Sequence, residues 1–335
     1  MIGAGAITAF LASLLLCRVI SRRAGARWLD QPGDRSLHSV PVPRLGGLAL
    51  WCGFAIGGLL CSAVLVEVLD LYWLAAGALL WLVSLADDRG AIAVRWRLLV
   101  QLAAAMLVLQ GTGLLPGEPA SAWFWLPVSV FLVLWSINLY NFMDGMDGLA
   151  ACMAIVGFAA LGILGWQQGN HGFAVLCLLL VMSAAGFLCV NFPPARIFMG
   201  DSGSTGLGFA MATVSLKGFS DVLYPWWVPV LVFSPFWLDA SLTLLRRLCR
   251  GEKVWLPHRQ HLYQRWVMAG CSHRQVLAAY LLVMLACAAS VLVWQAGAGR
   301  YNEKGFLYCW LGFYLVVLVG SEWRLKGRIG KSGGM

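Results

Sequence analysis

The chain has 335 residues, of which 60% are hydrophobic and only 12% charged, with a mean hydropathy of +0.78. A soluble domain carries about twice that share of charge, so a water-soluble globular fold is excluded. The net charge of +9 suits either an anionic substrate or the basic excess of cytoplasmic loops, and the placement of the charges separates the two.

Eleven apolar runs follow one another, at about 2–20, 45–66, 71–86, 98–115, 123–140, 148–166, 172–190, 203–219, 225–245, 276–296 and 305–321. Each is longer than the ~10 residues of a barrel strand and none alternates, so helices are the spanning element. The first run, IGAGAITAFLASLLLCRVI, lacks a basic leader and a small-residue cleavage site, and reads as a retained helix rather than a signal peptide. Connections alternate between short (EVLDLY, GTGLLPGEPAS, QQGNHG, FSDVLYP, GAGRYNEKG) and long or polar: 21–44, 87–97, 141–147, 191–202, 246–275 and the tail 322–335. Of 24 Lys and Arg, 21 lie in or beside the second group, and only Lys217, Arg300 and Lys304 lie near the first. By the positive-inside bias the second group is cytoplasmic. The expected architecture is an all-α polytopic membrane protein of about 11 transmembrane helices, N-terminus periplasmic and C-terminus cytoplasmic, forming one integral membrane domain over residues 1–335. The ten cysteines, mostly single within apolar runs and without CxxC or Cys/His ligand spacing, read as small packing residues.

The acids cluster where the runs end on the predicted cytoplasmic side. NLYNFMDGMDGL (138–149) carries Asp144 and Asp147, three residues apart, so a continuing helix puts them on one face. Glycine follows each, letting backbone or ligand approach closely. A charge in hydrocarbon costs several kcal/mol unless paired or wetted. Either the segment has left the membrane and these are loop residues, or they hold a ligand. Asp87 and Asp88 close the run WLAAGALLWLVSLA, and Asp201 stands in NFPPARIFMGDSGS. The Gly/Ser turn there suits a phosphate on main-chain N–H groups, or a plain helix cap.

The largest polar connection holds Pro257-His258-Arg259-Gln260-His261. No third soft ligand stands near His258 and His261, so with Arg259 they read as phosphate donors or as a solvated basic loop. SLHSVPVPRLGG (36–47) adds His38 and Arg44. Carboxylates without soft ligands suit Mg²⁺, or Mn²⁺ in its place, and basic groups at the same level suit a diphosphate. Phosphoryl transfer needs that combination. A transporter of an anionic solute would instead carry polar residues near helix midpoints; Asp239, inside the ninth run, comes nearest to that.

The ordered set HSVPVPRLGG, LADDRG, NLYNFMDGMDGL, NFPPARIFMGDSGS and PHRQHLYQRW, over about residues 30–266, resembles the polyprenyl-phosphate N-acetylhexosamine-1-phosphate transferases, the superfamily of WecA and MraY. The resemblance implies transfer of a sugar-1-phosphate from a UDP-N-acetylhexosamine to undecaprenyl phosphate, with Mg²⁺ and release of UMP. It places the enzyme in the bacterial inner membrane with its site facing the cytoplasm. Its partners are then the two substrates and the bilayer, with no nucleic acid, and a second copy of the chain as a candidate homodimer. It also implies that Asp201 binds the metal, with Asp87 and Asp88 near the metal and the lipid phosphate. Asp144 and Asp147 fall to nucleotide binding and catalysis, Phe198 to stacking on uracil, Asn191 and Asn141 to the nucleotide pocket. His258, Arg259 and His261, with Arg44 and His38, fall to the phosphates. Direct attack by the lipid phosphate and a covalent aspartyl route are both open.

The last motif departs from the family. It lacks the triple histidine of MraY, which argues against a peptidoglycan precursor, with a phospho-MurNAc-pentapeptide transferase as the alternative. WecA-type chains tend to read PDRxHLHH, where this chain has His258, Tyr263 and Gln264. PHRQHLYQR looks more like the WbpL-type enzymes that start O-antigen units in lipopolysaccharide synthesis, some with 6-deoxy sugars such as N-acetylfucosamine or N-acetylquinovosamine.

Overall fold

The computed structural model describes residues 1–25, 28–33, 37, 40–66, 68–88, 90, 92–112, 125–256, 258–297 and 302–332. Within them, each of the eleven apolar runs falls on helix. α1 (Ile2–Arg23) leads to a short antiparallel ribbon, β1 (Leu29–Asp30) with β2 (Val42–Pro43). The apolar stretch that follows forms α2 (Gly46–Leu60) and the single turn α3 (Ser62–Leu65). Asp70 starts α4 (Leu71–Asp87), its side chain accepting the Trp73 N–H at 2.6 Å. α5 (Val94–Gly111), α6 (Trp125–Met143) and α7 (Leu149–Gln167) come next. Asn170 caps α8 (His171–Asn191) by accepting the Phe173 N–H at 3.0 Å, and α9 is Asp201–Ser220.

The ninth run does not form one helix. It divides into α10 (Trp227–Val232) and α11 (Ser234–Cys249). Pro235 in the first turn of α11 has no N–H with which to continue the ladder of α10. α12 (Leu262–Met268), α13 (His273–Ala296) and α14 (Glu303–Ser332) complete the chain.

Among the described residues seven helices, α1, α5, α6, α7, α8, α13 and α14, are individually long and apolar enough to cross a membrane. α2 and α4 have 15 and 17 residues, α9 carries Asp201 and Lys217, and the ninth run is broken. The protein is an all-α polytopic membrane protein. At its centre α7 packs on α8, α1 on α2 and α8, α6 on α9, and α4 on α5 and α9. The apolar stretch of α7 is 72% buried and that of α14 only 6%, so α7 is central and α14 peripheral.

The long polar connections meet at one end of this bundle. Arg44 Nη2 donates to the Asp88 carbonyl at 2.7 Å, the Gly46 N–H to the Phe198 carbonyl at 2.8 Å, and the Ala195 N–H to Asp147 at 3.0 Å. The short connections meet at the other end, where Asn170 Nδ2 donates to Asp221 at 3.2 Å and Ser220 Oγ to the Thr112 carbonyl at 3.4 Å. The charge sorting read from the sequence thus divides two real ends of the fold.

α9 crosses α6 at Gly208, where an added Cβ would lie 2.7 Å from both Ile137 Cα and the Ser136 carbonyl oxygen. Backbone cannot yield as a side chain does. Gly208→Ala should therefore destabilise the protein by about 1–3 kcal/mol, lowering the melting temperature in detergent. Gly312→Ala on α14, where an added Cβ meets nothing within 4 Å, should leave it unchanged.

Candidate active site

The end that gathers the polar connections encloses a cavity of about 420 Å³. Arg44, Asp87, Asp88, Asn141, Asp144, Asp147, Asn191, Phe198 and Asp201 all line it. Of the residues singled out in the sequence, His38 lies outside the described residues, and His258, Arg259 and His261 lie outside this lining.

The acids of the cavity are not equivalent. Asp88, 3% exposed, accepts the main-chain N–H groups of Asp201 (2.9 Å) and Ser202 (3.0 Å), one on each carboxylate oxygen. It therefore caps α9 from another segment, a favourable place for a carboxylate. Burial raises its pKa, and those two N–H groups and Arg44 oppose the rise. Asp87 is engaged as fully. Oδ1 accepts the Ile92 N–H at 2.7 Å, and Oδ2 accepts Arg97 Nη1 at 2.8 Å. The acidic pair expected beside metal and lipid phosphate is thus committed to main chain and to Arg97.

The open carboxylates are Asp201 and Asp144. Asn141 Nδ2 donates to Asp201 Oδ1 at 2.9 Å and to Ser204 Oγ at 2.8 Å, so this asparagine orients Asp201. Asp201 Oδ2 lies 3.9 Å from Arg97 Nη1, and burial, with the Asp88 and Asp87 carboxylates, pushes the Asp201 carboxyl up to about 6 against the Asn141 hydrogen bond. Among the described residues the Asp144 carboxylate has no hydrogen-bond or ion-pair partner. Burial first, then the negative charges of Asp201 and Asp88, push the Asp144 carboxyl well above the usual carboxylate range.

Asp147 is 8% exposed, and its Oδ2 accepts the Ala195 N–H at 3.0 Å and lies 3.1 Å from His273 Nδ1. Gly148, next in the chain, has φ +74°, a left-handed value that favours glycine. Its N–H donates to Asn191 Oδ1 at 2.8 Å, while Asn191 Nδ2 donates to the Ile197 carbonyl at 2.8 Å. Asn191, expected to line a nucleotide pocket, lines the cavity and also staples the 144–148 turn to the segment that carries Phe198. Phe198 is set by its main chain, its N–H donating to the Pro43 carbonyl at 2.7 Å.

The 246–275 connection is built around two buried groups. Arg247 donates to Glu252 (2.8 Å) and to the Leu256 (3.1 Å) and Lys253 (3.0 Å) carbonyls. Asp239 accepts the Leu262 and Tyr263 N–H groups, at 2.7 and 3.2 Å, and so starts α12. The acid nearest a helix midpoint is therefore an anchor for this loop. His261 is buried with Nδ1 3.7 Å from Asp239, and Arg259 is exposed. Burial, followed by the charges of His261 and Arg247, lowers the His258 pKa to about 4, so this ring is neutral at neutral pH. From this segment Gln264 and His273 reach the cavity.

Arg97 and His273 were not singled out in the sequence, and Gln264 only as a departure from the last family motif. The signals were slight: a basic residue opening an apolar run for Arg97, and for His273 the pattern Ser272-x-x-Gln275, a capping box that marks a helix start.

Among the described residues no group of three or more His, Cys, Asp or Glu side chains is arranged to hold a metal ion alone. Mg²⁺ does not require one: it keeps several waters and takes one or two carboxylates, with substrate phosphates completing its shell. Asp144 and Asp201 share one cavity, and their negative charge is left uncompensated by Arg97 at 3.9 Å. That donor set, hard oxygens with excess negative charge, fits Mg²⁺.

Residues 71–219 match the model of glycosyl transferase family 4. A Bacillus subtilis protein named a probable undecaprenyl-phosphate N-acetylglucosaminyl 1-phosphate transferase is 30% identical over 296 residues, 82% of this chain and 81% of that one. The chain belongs to glycosyl transferase family 4. Two further relatives match over a similar stretch. A Mycobacterium tuberculosis decaprenyl-phosphate N-acetylglucosaminephosphotransferase is 31% identical, over 79% of this chain and 75% of its own. A Yersinia pestis undecaprenyl-phosphate alpha-N-acetylglucosaminyl 1-phosphate transferase is 28% identical, over 86% and 81%. The matched family 4 region holds every cavity aspartate except Asp30, and leaves Arg44, Gln264 and His273 outside it.

A carboxyl held above its ordinary pKa in the folded state contributes stability at low pH that is lost as pH rises through the folded value. Asp144→Asn removes that charge with little change of shape. The purified variant should melt above wild type in magnesium-free neutral buffer, by about 1–2 °C for each kcal/mol of burial and repulsion cost relieved.

Proposed function

We propose that this protein transfers an N-acetylhexosamine-1-phosphate from a UDP-sugar to undecaprenyl phosphate, releasing UMP, at the cytoplasmic face of the bacterial inner membrane. The observation that carries the reading is the cavity in which partly free carboxylates, Arg44 and an aromatic ring meet at the helix ends. A lipid phosphate can reach that level with its tail still in hydrocarbon. The names of the relatives support the same reaction.

In the proposed reaction an oxygen of the lipid phosphate attacks the β-phosphorus of the UDP-sugar. The bond from that phosphorus to the bridging oxygen breaks, and UMP leaves with the oxygen. A phosphate monoester has a second pKa of about 6, so the nucleophile is already ionised at neutral pH. The carboxylates then serve to place charge rather than to remove a proton. Asp144 and Asp201 would hold Mg²⁺, which when bound supplies charge neutralisation at the diphosphate. Asn141 orients Asp201, and Asp88 fixes the turn of α9 that carries it. Arg44 extends toward the phosphates, its Nε buried without a hydrogen-bond partner. Phe198 offers a face on which uracil stacks.

We further infer that the sugar is N-acetylglucosamine or a 6-deoxy N-acetylhexosamine, and that the product starts an O-antigen repeat unit. The HRQH of residues 258–261, in place of a triple histidine, supports a donor unlike that of the peptidoglycan enzymes.

Membranes carrying the protein, given undecaprenyl phosphate and labelled UDP-N-acetylglucosamine, UDP-N-acetylquinovosamine or UDP-N-acetylfucosamine, should yield a labelled lipid with at least one donor. No labelled lipid with any UDP-N-acetylhexosamine would overturn the reaction. Asp201→Asn should lower that transfer to background while the protein still inserts. Phe198→Ala should weaken UMP binding, measured by calorimetry, by about 0.5–1.5 kcal/mol for the lost aromatic contact. Unchanged UMP affinity would remove Phe198 from the base site.

A further inference from the structure

We propose that His273 is a positioning residue of the nucleotide-sugar site, holding the Asp147 carboxylate in the orientation that accepts a donor group of the substrate. The inference rests on the nucleotide-sugar reading above.

His273 is the first residue of α13, and its place is fixed locally. Ser272 Oγ accepts the Gln275 N–H at 3.3 Å, and Gln275 Oε1 accepts the Ser272 N–H at 2.9 Å. This capping box sets the first turn. From it, His273 Nδ1 reaches to 3.1 Å from Asp147 Oδ2. A carboxylate is an acceptor only, so the pair forms with the proton on Nδ1. The same oxygen accepts the Ala195 N–H at 3.0 Å. The Ala195 N–H hydrogen bond and the His273 contact both fall on Oδ2, which leaves Oδ1 as the oxygen for a substrate N–H or O–H. The next residue, Arg274, donates from Nε to the Pro193 carbonyl at 3.1 Å. One turn of α13 therefore grips Asp147 and the 193–195 segment together, and that segment runs directly into Phe198.

His273 also lines the cavity, and among the described residues it is the one imidazole that does. The histidines of the 258–261 segment, which the motif favoured, do not line it. Asp147 needs an external support. Its main chain is fixed by the Gly148 turn, but its side chain still has two free torsions, and Ala195 alone supplies a single donor. A carboxylate aimed by a histidine from outside the reacting set follows the logic by which outer partners orient site ligands.

The test compares His273→Ala and His273→Asn with wild type in steady-state transfer from UDP-N-acetylglucosamine, or from the donor the wild type uses, and in calorimetric binding of UMP. Loss of this close polar contact to a charged group should raise the KM for the UDP-sugar and the Kd for UMP by about tenfold in His273→Ala. The KM for undecaprenyl phosphate and the melting temperature should stay near wild type. His273→Asn, whose amide N–H can take the place of Nδ1–H, should recover most of the loss. Wild-type KM and UMP affinity in His273→Ala, with the wild type turning over normally, would overturn the positioning role and leave the reaction standing. Equal weakening toward both substrates, with a lowered melting temperature and no rescue by asparagine, would also overturn it, by making His273 a purely structural residue. A wild type inactive with every UDP-N-acetylhexosamine would instead remove the nucleotide-sugar reading beneath it.

Discussion

The site depends first on one buried carboxylate. Asp88, at the end of α4, receives the first two main-chain N–H groups of α9. Those groups have no partner within their own helix, and at a buried helix start they would otherwise be left unsatisfied. A carboxylate there meets both the hydrogen-bonding need and the positive end of the helix dipole. The consequence is geometric. Asp201 is the first residue of α9, so whatever fixes the main chain of that turn fixes Asp201. Asn141 on α6 then orients its carboxylate, and Arg44 closes over the Asp88 carbonyl. Elements far apart in sequence are tied to one turn, and each tie ends on a charged or amide group rather than on apolar packing.

This arrangement places like charges close together by design of the fold. Asp88, Asp144 and Asp201 line one cavity, and the last two have little or no compensation from the chain itself. Such a site is destabilising while empty, and the proposed entry of a cation with an anionic diphosphate would relieve it. The helices bear that repulsion because the bundle beneath is deeply packed: the apolar stretches of α7 and α8 are 72% and 67% buried. Rigidity below and uncompensated charge above are what a preorganised phosphoryl-transfer site needs.

Much of this was legible in the sequence, because hydrocarbon punishes exposed charge. The eleven runs, the two ends and the gathering of Asp87, Asp88, Asp144, Asp147 and Asp201 at one of them all follow from where charge is tolerated. The break of the ninth run at Pro235 was legible in principle, since proline stops a preceding ladder. The β1–β2 ribbon was not, being two residues a side with no alternation to read. Nor could the sequence tell which acids stay free. Asp87 and Asp144 look alike as letters; only the placement of Ile92 and Arg97 makes one engaged and leaves the other open.

The last motif shows where a motif ceases to carry geometry. His258, Arg259 and His261 match a phosphate-binding loop by spacing, yet buried anchors turn that loop: Arg247 holds its main chain, and Asp239 holds the start of α12. What α12 sends toward the cavity are the two residues that depart from the family pattern. Tyr263 is fully buried and donates to the Phe142 carbonyl at 3.0 Å, bracing the helix end beside Asp144. Gln264 lines the cavity itself. Two positions that carry imidazoles in related chains therefore carry a brace and a neutral amide here. Among the described residues the imidazole that lines the cavity comes instead from α13, a position set by its place in space and not marked by the motif.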